Sequence, residues 1–131
     1  MKQNAKNSIK MLTDVELELM TVLWKLGEGS VTDVISQLPK ERELAYTSVS
    51  TMLRILEQKK VLTARKEGRG HIYVPELKKA AYESKAVRHV MDKVFEGTPV
   101  ALVKQLLSTV HLDQSELAEL KALIANAEVK K

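Results

Sequence analysis

From Leu12 onward the apolar residues of this chain recur at helical spacing, in stretches separated by capping residues, glycines and prolines. Thr13 and Glu16 are spaced as a capping box, with Leu12 and Leu17 as its hydrophobic staple. Val15, Leu19, Val22, Leu23 and Leu26 follow on one face and Gly27 with Gly29 ends the run, which predicts a helix over 14–26. Ser30 and Asp33 open a second helix, over 31–38, with Val31, Val34, Ile35 and Leu38 on one side and a stop at Pro39. A third pattern, over 46–60, places Val49, Met52, Leu53 and Leu56 at i, i+3, i+4 and i+7. At about 100° per residue, Thr47, Ser50, Thr51, Arg54 and Gln58 fall on the opposite face, which carries no acid.

After Lys60 the period changes to two. Residues 61–65 and 71–74 read as short strands joined by Lys66-Glu67-Gly68-Arg69-Gly70, whose glycines permit a tight hairpin. Three helices followed by a hairpin is the order of a winged helix-turn-helix, with Lys66 and Arg69 at the tip of the wing. Pro75 closes the second strand and is placed to begin a long helix over 76–95, in which Leu77, Ala80, Ser84, Val87, Met91 and Val94 step by alternating threes and fours. Gly97-Thr98-Pro99 breaks it and restarts a helix over 99–109 that is apolar on most sides. Asp113 and Glu116 cap a last helix, whose stripe is Leu117, Leu120, Ile124 and Ala127.

The expected fold is therefore mainly α with a small β-hairpin: a flexible tail over 1–11, a winged-helix head over 12–75 and a helical dimerisation segment over 76–131. One small protomer can hardly cover the apolar residues of that last segment. Leu77, Val87, Met91, Val94, Leu102, Leu106, Leu120 and Ile124 are the expected contacts of a homodimer.

Composition narrows the chemistry. The 131 residues include no cysteine, which removes disulfides, thiolate metal sites and thiol nucleophiles together. His71, His89 and His111 lie far apart without companion ligands, so neither a metal nor another cofactor is expected. Ser108 and His111 are close, but no acid orients them in a recognisable motif, and an enzyme is not expected. Trp24 reads as the edge of the core. The first eleven residues lack the apolar run of a signal peptide or membrane span, which suggests a cytoplasmic protein without membrane insertion.

The net charge of +4 is modest, but it is unevenly spread. Between Arg42 and Ile72 stand seven basic residues (Arg42, Arg54, Lys59, Lys60, Arg65, Lys66, Arg69) against three acids (Glu43, Glu57, Glu67), while the rest of the chain is balanced. A polyanion would feel that segment above all. An α-helix fits the major groove of DNA, where hydroxyls reach base edges or phosphates and an arginine can bind guanine through two hydrogen bonds. The acid-free face over 46–58 has those side chains, and a basic wing directly after it suits phosphate contact or minor-groove insertion. Two other readings stay open: a winged-helix protein-interaction module and a small-molecule-sensing regulator.

The blocks Leu12-Thr13-Asp14-Val15-Glu16-Leu17-Glu18-Leu19-Met20, Val22-Leu23-Trp24, and Ala45-Tyr46-Thr47-Ser48-Val49-Ser50-Thr51-Met52-Leu53-Arg54, with the wing Gly68-Arg69-Gly70-His71-Ile72-Tyr73, carry a resemblance. The chain resembles the penicillinase-repressor family, also called the BlaI/MecI/CopY family, over about residues 10–127. Its members are dimeric winged-helix repressors of resistance genes on dyad-symmetric operators. The resemblance implies that Tyr46, Thr47, Ser48, Ser50, Thr51 and Arg54 belong to the operator-facing helix, and that dimerisation runs through the segment after Pro75. The double-stranded operator, a second copy and a membrane sensor protease pathway are the partners it suggests. The chain departs from the family in two places. Copper-responsive members have a C-terminal cysteine cluster, absent here, and the Asn-Phe bond cut in β-lactam-responsive members is matched by Gln105-Leu106.

Overall fold

A computed structural model describes residues 11–127; most of the tail expected over 1–11 lies outside them. Six helices and one hairpin follow in the order α1 (Asp14–Leu26), α2 (Val31–Gln37), α3 (Tyr46–Gln58), β1 (Leu62–Glu67), β2 (Gly70–Pro75), α4 (Lys79–Val94), α5 (Pro99–Thr109) and α6 (Gln114–Ala125). The predicted capping boxes form at the starts of α1, α2 and α6. In each, the side chain of Thr13, Ser30 or Asp113 accepts from the third helical N–H, and the acid at that position accepts from the cap's own N–H. Such pairs satisfy two orphan donors of the first turn. Thr98 starts α5 without a side-chain cap bond, with Pro99 in the first turn.

The core lies where α1, α2, α3 and the hairpin meet. Leu19, Met20, Leu23, Val34, Val49, Leu53 and Leu56 are fully enclosed, joined by Leu62 and Tyr73 from the two strands. The strands are antiparallel, with Leu62 opposite Pro75 and Glu67 opposite Gly70. A third backbone segment joins the sheet edge. The Gly29 N–H donates to the Tyr73 carbonyl at 3.0 Å, and the Tyr73 N–H donates back to Gly29 at 2.8 Å. The turn between α1 and α2 is thereby fastened to β2. These three helices, with the hairpin and its bridge, make a winged helix.

Helix α3 ends in a Schellman motif. The Val61 N–H reaches the Leu56 carbonyl and the Lys60 N–H that of Glu57, with Lys60 in the left-handed region at φ 68°.

Two sequence expectations need correction. The predicted five-residue connection is a two-residue turn, Gly68-Arg69, because the strands run further than the apolar alternation indicates. Gly68 at φ 60° supplies the positive angle that a tight hairpin requires at its first central position. The long helix starts at Lys79 instead of residue 76, since Pro75 is still in the ladder and the Glu76 and Leu77 N–H groups both donate to the Val61 carbonyl. Leu77 consequently packs on the head core, where its carbonyl accepts the Trp24 indole N–H at 2.9 Å. Trp24 lies at the core edge as read from sequence.

The chain divides into two compact units, 1–86 and 87–131, with the division falling inside α4. In the first, Tyr82 of α4 is buried, and its hydroxyl accepts the Leu12 N–H at 3.1 Å. In the second, neither α5 nor α6 has a buried residue.

Candidate nucleic-acid interface

Helix α3 buries Val49, Leu53 and Leu56 and turns its other side outward. Thr47, Ser48, Thr51, Arg54 and Gln58 are exposed, Ser50 is half-buried, and Tyr46, the first helical residue, is 55% exposed. On the helical wheel Tyr46, Ser50 and Glu57 flank the core stripe on one side, between it and Arg54. The hairpin packs along that flank. Tyr73 registers it: burial, and then the Glu57 carboxylate, push its hydroxyl above the ordinary range, while the Arg54 guanidinium pulls it down and the Tyr46 hydroxyl pushes it up.

The basic residues of the 42–72 segment fall into two groups. Arg42 binds Glu18 at 2.9 Å, Lys59 binds Glu16 at 2.7 Å, and Arg65 binds both carboxylate oxygens of Glu28, at 3.1 and 2.9 Å. These three cations serve the fold. They tie the loop before α3, the end of α3 and β1 to α1 and the turn that follows it. Their acids therefore cancel much of the charge counted from sequence. Among the described residues, Arg54, Lys60, Lys66 and Arg69 form no ion pair. Arg54 stands on the exposed face of α3, Lys66 on β1 and Arg69 in the turn, all exposed. Sequence spacing had put Lys66 at the tip; it lies on the strand, paired with His71.

The expected dimer residues are distributed differently. Val87 and Val94 are exposed on α4, Leu106 on α5 and Ile124 on α6, the last at 66%, whereas Met91, Leu102 and Leu120 are half-buried. Gln105 and Leu106 are both exposed within α5, and the Gln105 amide donates to the Thr109 hydroxyl at 3.1 Å. No helix among the described residues is long and apolar enough to cross a membrane.

Comparison with known proteins agrees with this arrangement. The penicillinase repressor family model matches residues 12–126. The penicillinase repressor of Bacillus licheniformis is 29% identical over 116 residues, which cover 88% of this chain and 91% of that one. The methicillin resistance regulatory protein MecI of Mammaliicoccus sciuri is 20% identical over 118 residues, 90% of this chain and 96% of its own. Among solved structures, Bordetella bronchiseptica BpsR, studied for the regulation of its DNA binding by 6-hydroxynicotinic acid, superposes with a TM-score of 0.50 at 16% identity, over 92% of this chain and 83% of that one, a likeness of fold. With nearly its whole described length matched, from the first capping box to the last helix, the chain belongs to the penicillinase repressor family.

Proposed function

We propose that this chain is a DNA-binding transcriptional repressor that acts as a homodimer on a dyad-symmetric operator, in control of resistance or stress genes. The observation that carries the reading is the exposed face of α3, where Thr47, Thr51, Arg54 and Gln58 stand without an acid among them, with half-buried Ser50 at its edge and a wing bearing unpaired Lys66 and Arg69 beside it. Hydroxyls and a guanidinium on a helix of this length suit base edges in the major groove, and the wing cations suit the phosphates.

The homodimer rests on α5 and α6, in which no residue is buried although Val100, Leu106, Leu107, Leu123 and Ile124 are apolar. Soluble monomers rarely leave large apolar patches in water. A second copy of the same helices covers it and presents two reading heads related by a two-fold axis. Induction through a membrane sensor protease pathway, by cleavage at Gln105-Leu106, belongs to the same proposal. That bond lies inside α5, so cutting it requires local unwinding of the helix.

Selection from a random pool of DNA duplexes tests the reading. The expected product is an inverted repeat with half-sites about one helical turn, 10 to 10.5 bp, or a multiple of it apart. Failure to enrich any sequence, at low salt as well as high, would overturn operator recognition.

A further inference from the structure

His71, weighed from sequence only as a metal ligand, lies on the wing in β2. It pairs across the ladder with Lys66, as Ala64 pairs with Tyr73, so all four side chains share one face of the hairpin. This is the face that packs on the helices: Tyr73 is buried, Ala64 lies against the core, and the His71 and Tyr73 rings are 6.3 Å apart. Arg65 and Glu67 point to the other face, where they approach each other at 3.6 Å. Moving outward along the inner face, the hairpin passes α3 at Tyr73 and leaves His71 and Lys66 exposed just beyond it. Cross-strand partners hold their Cβ atoms about 4.5–5.5 Å apart, close enough for two side chains to grip one phosphate oxygen set.

We propose that His71 and Lys66 form a phosphate-binding pair on the wing, in which His71 binds the DNA backbone as the imidazolium. The proposal rests on the DNA-binding reading above and adds to it a contact that exists only when a proton is bound. Across the ladder His71 pairs with Lys66, and along β2 its ring stands 6.3 Å from that of Tyr73, whose hydroxyl in turn feels Glu57, Arg54 and Tyr46 of α3; Arg69 lies in the turn. A phosphate seated between the two side chains favours the imidazolium, because an adjacent anion stabilises the charged form of histidine. Binding then takes up a proton. Affinity is then greatest at low pH, and this extra contribution is given up as rising pH removes the proton from the imidazolium.

The test measures binding of the full-length protein to a short random-sequence DNA duplex, between about pH 8 and pH 5.5, where histidine changes charge. A random duplex reads phosphate contacts alone. Wild-type affinity is expected to rise severalfold on acidification, with the salt dependence steepening by about one unit per head. H71Q should bind as the wild type does at high pH and lose the pH dependence, while H71K should bind tightly throughout the range. Calorimetry in buffers of different ionisation enthalpy should register proton uptake by the wild type and none by H71K. A pH dependence unchanged in H71Q would overturn the proposal while leaving DNA binding intact. No binding to any duplex at any pH or salt would overturn the DNA-binding reading together with it.

Discussion

The Lys59 ammonium donates to Oε2 of Glu16 at 2.7 Å, while Oε1 of the same carboxylate accepts the Thr13 N–H at 2.9 Å. One side chain, 5% exposed, thus caps the start of α1 and holds the end of α3. Burial works to raise the Glu16 pKa, but the bonds from Lys59 and Thr13 outweigh it and leave it below the ordinary 4.5. A depressed carboxylate stabilises the fold fully above its unfolded value and loses that contribution as pH falls through the folded one. K59M is expected to shift the acid-unfolding midpoint upward and to cost about 1–2 kcal/mol near neutrality, since Lys59 is itself part-exposed. Urea titrations across the acid range measure both.

Lys60 adopts a left-handed conformation that residues with a Cβ adopt at a cost. K60G is expected to stabilise the protein by about 1 kcal/mol, because glycine meets no such penalty in the left-handed position of a Schellman motif. Thermal unfolding of the two proteins side by side is the check; a lower midpoint for K60G would assign Lys60 a contact that outweighs its backbone strain.

Arg54 reads a base if the α3 face enters the major groove. R54A is then expected to weaken binding to the selected operator by about 1–3 kcal/mol and to relax preference at one position of each half-site. Parallel titrations with operator and random duplex decide it. Equal losses on both would make Arg54 a phosphate contact only.

Substituting Lys66 and Arg69 together should weaken both duplexes nearly alike and reduce the slope of log affinity against log salt by about two units per head. A slope equal to that of the wild type would remove the wing from the interface.

Cutting the chain after Gly97 removes α5 and α6 and is expected to leave a folded head, largely monomeric, that binds one half-site far more weakly than the intact protein binds two. Sedimentation of the intact protein at micromolar concentration should show a dimer. A compact monomer there would overturn the symmetric-operator scheme.

Much of the helical layout was legible because its signals are local. Thr13 with Glu16, Ser30 with Asp33 and Asp113 with Glu116 mark helix starts within four residues, and Gly27 and Pro39 mark stops. The α3 face was likewise readable from periodicity alone. What escaped detection depends on partners distant in sequence. Nothing at Gly29 announces a backbone bridge to Tyr73, and nothing at Leu77 announces that Val61 and Trp24 hold it to the head. The charge count misjudged the basic segment for the same reason, since Glu16, Glu18 and Glu28 lie outside it in sequence and against it in space. His71 was overlooked because its importance comes from strand register, which the sequence left two residues short at the turn.

The hold on Leu77, together with the Tyr82 hydroxyl that receives the Leu12 N–H, means that the head is finished by residues that come after its own wing. During synthesis, when N-terminal parts become free to fold first, the three helices and hairpin can emerge and still lack the pieces that cover Trp24 and anchor the start of α1. The reading head is therefore expected to complete its packing only once the first turns of α4 have left the ribosome, and a genetic boundary drawn at Pro75 would separate it from Leu77 and Tyr82.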